Sequence, residues 1–127
     1  MKYLLDTNIL IWWLETNTRL SPRIKHIINE KGNSIYVSSI SAWEMNIKKA
    51  IGKLTTPDDL EEVIALNHFI PLSVTIAHAM QVKHLPLHHR DPFDRMIIAQ
   101  AQLEQFAIIT ADPIFEKYSV AVILNKL

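Results

Sequence analysis

Cysteine is absent from this chain, and glycine occurs only twice, at Gly32 and Gly52. The lack of cysteine excludes disulfides, a thiolate nucleophile and zinc sites of the cysteine type. The scarcity of glycine excludes a Walker A loop and a dinucleotide-binding fingerprint, because both motifs need several closely spaced glycines. Any chemistry must come from other side chains, and a chain without cysteine suits a reducing cytosol.

Long hydrophobic runs and a surplus of positive charge are also missing. Asp6 interrupts the first apolar stretch too early for a signal peptide, and no later run is long enough to cross a bilayer. We therefore expect a cytoplasmic protein with no membrane partner. The 13 Lys and Arg residues only balance the 13 Asp and Glu residues, which argues mildly against nucleic-acid binding. Basic residues do cluster locally, around Lys48 and Lys49 and around Arg90 and Arg95.

The alternation of apolar runs and helical periodicity predicts the fold class. With 127 residues, 49% of them hydrophobic and 20% charged, residues 1–127 fit one compact domain. We predict an α/β fold with a central, mostly parallel sheet flanked by helices on both faces. The predicted strands cover 2–6, 34–38, 69–72, 107–110 and 120–124. The predicted helices cover 8–15, 22–31, 41–51, 57–66, 74–83 and 91–105.

Four short acidic motifs follow predicted strands or begin predicted helices. They are Leu5-Asp6-Thr7-Asn8, Ser41-Ala42-Trp43-Glu44, Asp91-Pro92-Phe93-Asp94 and Thr110-Ala111-Asp112. The carboxyl ends of parallel strands meet at one edge of a sheet, and ligands bind at that edge. Carboxylates gathered there repel one another unless a cation neutralises them. A hard divalent ion acting on phosphate, Mg²⁺ or Mn²⁺, is the simplest chemistry for such a cluster.

Each acid also has a structural explanation. Asp6 can turn the chain into the first helix, but a charge at the mouth of a buried strand is costly without a partner. Ser41 and Glu44 have the spacing of a capping box, in which the glutamate accepts a hydrogen bond from the N-cap amide. From the residues alone, Glu44 remains open between cap and metal ligand.

The two later motifs have the same ambiguity. Asp91 precedes a proline, the pattern of a helix N-cap, and Asp94 lies three residues further on, where both can face one site. Asp112 also precedes a proline and can be a cap, and Thr110 can be only a hydroxyl at a strand end. A single acid at the start of a helix is common, but four or five of them at one edge of a sheet are not expected by chance. Their number favours the metal site.

Histidine and tryptophan carry weaker signals. The histidines within 84–89 lie near a polar loop, and zinc is disfavoured there because structural zinc wants four well-spaced nitrogen or sulfur ligands. Contact with substrate or simple solvation is favoured instead. Trp12, Trp13 and Trp43 read as core or interface anchors. Because Trp12 and Trp13 are adjacent on a helix, we expect only one of them to face the core, leaving the other for a partner.

The four motifs, in this order, resemble those of the PIN domain family over essentially the whole chain. The resemblance rests on Leu5-Asp6-Thr7-Asn8, on Ser41 with Glu44, on the run Asp94 to Ala101, and on Thr110-Ala111-Asp112. The run His89 to Arg95 resembles one bacterial branch of that family, the VapC-type toxins of toxin–antitoxin pairs.

The resemblance implies an endoribonuclease that cuts single-stranded RNA with Mg²⁺ or Mn²⁺ and leaves a 5′-phosphate and a 3′-hydroxyl. The ligands it implies are Asp6, Glu44, Asp94 and Asp112, with Asp91 as a further candidate, supported by Thr7, Asn8, Ser41 and Thr110. Lys48, Lys49, Arg90 and Arg95 are the candidate RNA contacts. A cognate antitoxin and a homodimer are the implied protein partners.

Three other functions compete with the toxin nuclease. A PIN-like nuclease in RNA processing would share all four motifs. An aspartyl phosphatase or phosphotransfer domain also places acids at strand ends, but Asn8 stands where its second aspartate is expected. A metal-free RNA-binding module gains nothing from carboxylates that repel phosphate. We expect the toxin nuclease, because the domain carries nothing fused to it.

Overall fold

A five-stranded parallel sheet forms the centre of the molecule. The computed structural model describes residues 1–126. Its strands are β1 (Lys2–Leu5), β2 (Ser34–Ser38), β3 (Ile70–Leu72), β4 (Ala107–Thr110) and β5 (Val122–Leu124). They lie in the order β3-β2-β1-β4-β5, and each neighbouring pair is parallel. The predicted α/β class is confirmed, and within 1–126 the sheet is wholly rather than mostly parallel.

Helical segments connect successive strands, because neighbouring parallel strands can only be joined by a crossover. Within the described residues the α-helices are α1 (Thr7–Leu14), α2 (Pro22–Asn29), α3 (Ser39–Ala50), α4 (Leu60–Leu66), α5 (Ile76–Gln81) and α6 (Pro92–Glu104). Two 3₁₀ turns, Val82–His84 and Pro113–Lys117, complete the connections. Over residues 1–126, none of the helices has the length and hydropathy that a membrane crossing needs.

The two faces of the sheet bury separate apolar clusters. Side chains alternate along β1, so Tyr3 and Leu5 pack with α1, α2 and α4 on one face. Leu4 points to the other face and packs with Ile97 and Ile98 of α6. Leu4 and Leu5 are fully buried, and each contributes about 1.5–3 kcal/mol through the area removed from water. Helices therefore cover both faces, as predicted.

The strand order creates a crevice at the carboxyl edge of the sheet. From the central β1, the chain adds β2 and β3 on one side and later β4 and β5 on the other. In open parallel sheets, the point where the order reverses is the place where ligands bind. Asp6 directly follows β1, and Asp112 comes two residues after the end of β4. Two of the predicted acids therefore flank this switch point.

Helix α3 begins earlier than predicted, and of the two roles left open for Glu44 the structure rules out the capping box. Ser38, rather than Ser41, is the N-cap, and its side chain accepts a hydrogen bond from the Ile40 amide at 3.0 Å. Strand β2 ends at Ser38 in the extended conformation that an N-cap needs, so the chain enters the helix without a loop. Ser41 consequently lies inside the first turn, which leaves Glu44 without a capping role.

Helix α4 begins at Leu60 instead of at residue 57. Asp58 is exposed, and its carboxylate pairs with Lys49 rather than with the helix amides. The acids in the first turn of α4 are Glu61 and Glu62, which suit the positive end of the helix dipole.

Trp12 and Trp13 both pack against the same apolar cluster, so the expectation that one of them faces away is wrong. The indole of Trp13 donates to Asn67 Oδ1 at 3.0 Å, and the guanidinium of Arg19 lies 5.7 Å from the centre of the Trp12 ring. Both rings are half-buried. Each indole is large enough to reach the cluster from its own side of α1. The exposed tryptophan is Trp43, with 59% of its surface accessible.

Candidate active site

Asp6 joins the two central strands at the switch point. It is 4% exposed, and its Oδ1 accepts a hydrogen bond from the Thr7 amide at 2.8 Å. Its Oδ2 accepts from the Thr110 hydroxyl at 2.7 Å. The amide of Asp6 donates to the carbonyl of Ile109 at 2.9 Å, which extends the pairing of β1 with β4. Asp6 is thus both the N-cap of α1 and a fixed carboxylate at the sheet edge.

Burial disfavours the charge on Asp6. It raises the pKa of this carboxyl to about 6, although the hydrogen bonds from Thr110 and Thr7 act in the opposite direction. The negative charges of Glu44 and Asp112 raise the pKa further. None of the groups that shift the pKa of Asp6 is positively charged, so a bound cation would stabilise its ionised form.

Glu44 lies on the inward face of α3 with one oxygen unpaired. Its Oε2 is 3.1 Å from Lys48 Nζ, whereas its Oε1 is buried and has no hydrogen-bond partner among the described residues. One turn earlier, Ser41 Oγ accepts a hydrogen bond from the Thr7 hydroxyl at 2.8 Å, which joins α3 to α1. A buried carboxylate oxygen without a donor is costly unless a cation binds it.

Asp91 and Asp94 have separate positions at the start of α6. Asp91 is exposed, and its Oδ1 accepts from the amides of Phe93 at 2.9 Å and Asp94 at 3.2 Å. This confirms that Asp91 is the N-cap of the helix. The side chain of Asp94 is only 16% exposed.

The environment of Asp94 strongly favours its neutral form. Burial is the main cause that raises the pKa of Asp94 to about 8. The negative charges of Asp6, Asp91, Glu44 and Asp112 add to the shift. Carboxylates far apart in the sequence therefore act on one another at this edge of the sheet.

Asp112 and Thr110 complete the edge after β4. Asp112 is exposed, and its Oδ1 accepts from the Ile114 amide at 3.0 Å, so it caps the Pro113–Lys117 turn. Its own amide donates to Thr110 Oγ1 at 3.1 Å. The hydroxyl of Thr110 thus links Asp112 to Asp6, because it accepts from one residue and donates to the other.

A polar network beside Asp94 was not foreseen from the sequence. His89 is half-buried rather than solvated, with Nε2 3.4 Å from Asp94 Oδ2 and Nδ1 2.7 Å from the Tyr118 hydroxyl. Arg95 donates to the same hydroxyl at 3.2 Å and to the carbonyl of Pro86 at 2.9 Å. The only signal in the sequence was the position of His89 five residues before Asp94.

The remaining predicted residues are placed less centrally. Asn8 is exposed on α1, and Arg90 is exposed in the loop before α6. Lys48 pairs with Glu44, and Lys49 pairs with the distant Asp58. The charges of four acids interact at this edge of the sheet: Asp6, Glu44, Asp94 and Asp112. Hydrogen bonds of Thr7, Ser41 and Thr110 connect the elements that carry them. The basic residues do not gather at one place.

The donor set fits a hard divalent cation. Carboxylate oxygens are the ligands that Mg²⁺ and Mn²⁺ prefer, and Glu44 Oε1 is a buried oxygen without a partner. Within residues 1–126, no three acidic or imidazole groups converge closely enough to hold one ion without rearrangement. Mutual repulsion opposes a closer approach of these carboxylates. Asp6, Glu44, Asp94 and Asp112 are the side chains that would hold the cation.

The protein is a wholly parallel α/β domain with several carboxylates at the switch point of its sheet. A family model described as the PIN domain matches residues 3–121. The chain belongs to the PIN domain family, as its motifs predicted, and membership of this nuclease family supports a hydrolase acting on nucleic acid. No curated protein matches the sequence.

Solved structures share the fold. VapBC2 from Rickettsia felis, bound to a DNA fragment from their promoter, matches with a TM-score of 0.78 and 18% identity, covering 99% of this chain and 100% of that one. DNA-bound VapBC from Salmonella typhimurium matches with a TM-score of 0.70 and 20% identity over 97% of each chain. A toxin–antitoxin complex from Klebsiella pneumoniae matches with a TM-score of 0.64 and 23% identity over 95% of each chain.

Proposed function

We propose that this protein is a metal-dependent endoribonuclease that cleaves single-stranded RNA and acts as the VapC-type toxin of a toxin–antitoxin pair. One observation carries the proposal: at the switch point of the sheet, the negative charges of Glu44 and Asp112 act on both Asp6 and Asp94 and raise the pKa of each. Family membership supports the nuclease, and the similar fold of VapBC structures supports the toxin.

The residues of the site have different roles in the proposed reaction. Thr110 and Thr7 hold both oxygens of Asp6 in one orientation, and Glu44 offers a free oxygen. Bound Mg²⁺ or Mn²⁺ would supply an activated water and stabilise charge on the attacking and leaving oxygens. No nucleophilic side chain is needed. The exposed Arg90 is available to attract the phosphate backbone, whereas Arg95 is occupied by main-chain carbonyls.

The biological setting belongs to the same proposal. We infer a cytoplasmic toxin that is neutralised by a cognate antitoxin and assembles as a homodimer. A PIN nuclease of RNA processing would have the same site but would not arrest growth when it is expressed alone. A small neighbouring gene encoding a DNA-binding N-terminus and a short C-terminal tail would identify the antitoxin.

A cleavage assay tests the nuclease directly. With Mn²⁺ we expect the protein to cut a labelled single-stranded RNA, and with excess EDTA we expect no cleavage. The variant Asp6→Asn should lose at least about 100-fold in rate, since it removes a charge that attracts the cation. The control Asp59→Asn alters an exposed acid before α4 that makes no capping hydrogen bond, and it should cleave normally. Robust cleavage in EDTA would overturn the metal-activated mechanism, and hydrolysis of a simple phosphate ester would favour the phosphatase.

A further inference from the structure

Beside the carboxylate cluster, His89 sits in a chain of polar contacts that the proposed chemistry does not use. Its Nε2 lies 3.4 Å from Asp94 Oδ2, and its Nδ1 lies 2.7 Å from the hydroxyl of Tyr118. The same hydroxyl is 3.2 Å from Nη1 of Arg95. Four side chains are therefore connected in the order Arg95, Tyr118, His89, Asp94.

The direction of each hydrogen bond in this chain follows from its first member. A guanidinium can only donate, so the oxygen of Tyr118 accepts from Arg95. The hydroxyl proton of Tyr118 is donated to His89 Nδ1, because an Nδ1–H would leave that buried proton without an acceptor among the described contacts and would turn the lone pair of Nε2 towards Asp94. In the neutral ring the remaining proton belongs to Nε2, the nitrogen that faces Asp94. The contacts thus select the Nε2–H tautomer of His89.

The chain is anchored at its far end. The guanidinium of Arg95 also donates to the carbonyls of Pro86 at 2.9 Å and of Leu85 at 3.3 Å. Tyr118 is only 4% exposed, and the side chain of His89 is 18% exposed. The ring of His89 also packs against Tyr118 at a centroid distance of 5.6 Å. A ring held at both nitrogens and packed against a buried tyrosine has little rotational freedom.

We propose that His89 is a positioning residue for Asp94: its Nε2–H donates to Oδ2 and orients that carboxylate towards the other acids, while Tyr118 and Arg95 fix the histidine tautomer. The inference rests on the proposed function, in which Asp94 holds a divalent cation. Outer partners of this kind orient a carboxylate ligand, and their loss typically costs about 10–100-fold in metal affinity or activity.

Three variants separate this role from simple packing. His89→Leu removes the donor, His89→Gln keeps an amide donor on a side chain of similar reach, and Tyr118→Phe removes only the hydroxyl that selects the tautomer. His84→Leu is the matched control, because His84 is exposed in the preceding 3₁₀ turn. Circular dichroism checks that each variant is folded.

Two measurements do not depend on RNA cleavage. Imidazole ¹⁵N spectra of the metal-free protein at pH 9, where Asp94 is ionised, should show His89 as one Nε2–H tautomer, and Tyr118→Phe should replace it with a mixture. Calorimetric titration with Mn²⁺ should show an affinity about ten-fold weaker for His89→Leu. His89→Gln should recover most of that loss, and His84→Leu should bind as the wild type does.

The outcomes distinguish the inference from the proposed function. An Nδ1–H tautomer in the wild type, or unchanged Mn²⁺ affinity in folded His89→Leu, overturns the inference. A loss of cleavage with unchanged Mn²⁺ affinity also overturns it, since His89 would then contact RNA. If the wild type binds Mn²⁺ but leaves RNA intact, the proposed function fails while the spectra and the titration still decide the role of His89. If His89→Leu does not fold, Tyr118→Phe decides it.

Discussion

Asp91 accepts hydrogen bonds from the first amides of α6, whereas Asp94 lies less than one turn later among the other carboxylates. Asparagine can replace Asp91 as a cap, so Asp91→Asn should change the free energy of unfolding by less than about 0.5 kcal/mol and keep a measurable fraction of cleavage. Asp94→Asn keeps the shape but removes the charge that holds a hard cation. We expect it to fold, to be more stable without metal, and to lose nearly all cleavage.

Melting temperature in EDTA and RNA cleavage with Mn²⁺ measure both variants. An active Asp94→Asn protein together with an inactive Asp91→Asn protein would reverse the two roles.

The raised pKa values of Asp6 and Asp94 predict how the stability of the metal-free protein depends on pH. Both carboxyls prefer to be neutral in the fold, with pKa values of about 6 and about 8 against 3.8 in the unfolded chain. Their unfavourable contribution is therefore largest above pH 8 and falls as the pH is lowered towards 5. Between pH 9 and pH 5.5, we expect the free energy of unfolding to rise by about 1–3 kcal/mol.

Urea unfolding in EDTA at several pH values measures this effect. Asp94→Asn should remove most of the change between pH 9 and pH 7, where only that carboxyl titrates strongly. Identical pH profiles for the variant and the wild type would contradict the assignment to Asp94.

Helix α3 begins at Ser39 with Ser38 as its N-cap, and this start leaves Glu44 without a capping role. Because the Ser38 hydroxyl accepts from the Ile40 amide, Ser38→Ala should destabilise the protein by about 1 kcal/mol. Ser38→Gly should cost only a few tenths of a kcal/mol, since glycine is tolerated at an N-cap. Urea unfolding measures both values. Equal losses for the two variants would mean that the hydroxyl acts through packing and not as a cap.

The elements also mark the limit of what the sequence predicts. The bounds of β2 and β4 and the cap at Asp91 are confirmed, because alternating β-branched residues and an aspartate before proline are local signals. The start of α3 was mispredicted because several neighbouring serines can cap a helix, and only the end of β2 selects Ser38. The neighbourhood of His89 depends on Tyr118, 29 residues away, so no local pattern contains it.

For the whole molecule, the proposal predicts toxicity. Expression of the wild-type chain alone should arrest bacterial growth, because an active ribonuclease without its antitoxin degrades cellular RNA. Asp6→Asn should relieve the arrest, and Asp59→Asn should not. Colony counts after induction, with immunoblots to confirm equal protein levels, measure the effect. Equal arrest by Asp6→Asn would place the toxicity outside this site.

The central position of β1 has a consequence for synthesis on the ribosome. The carboxylate of Asp6 is made early, but the Thr110 hydroxyl that orients it follows 104 residues later. The strand that pairs with β1 at the switch point is likewise β4. A contact between residues this far apart in the sequence cannot form until both segments have been synthesised. A nascent chain that has not reached Thr110 and Asp112 therefore lacks the completed acid cluster, and under the proposed function it should not yet cleave RNA.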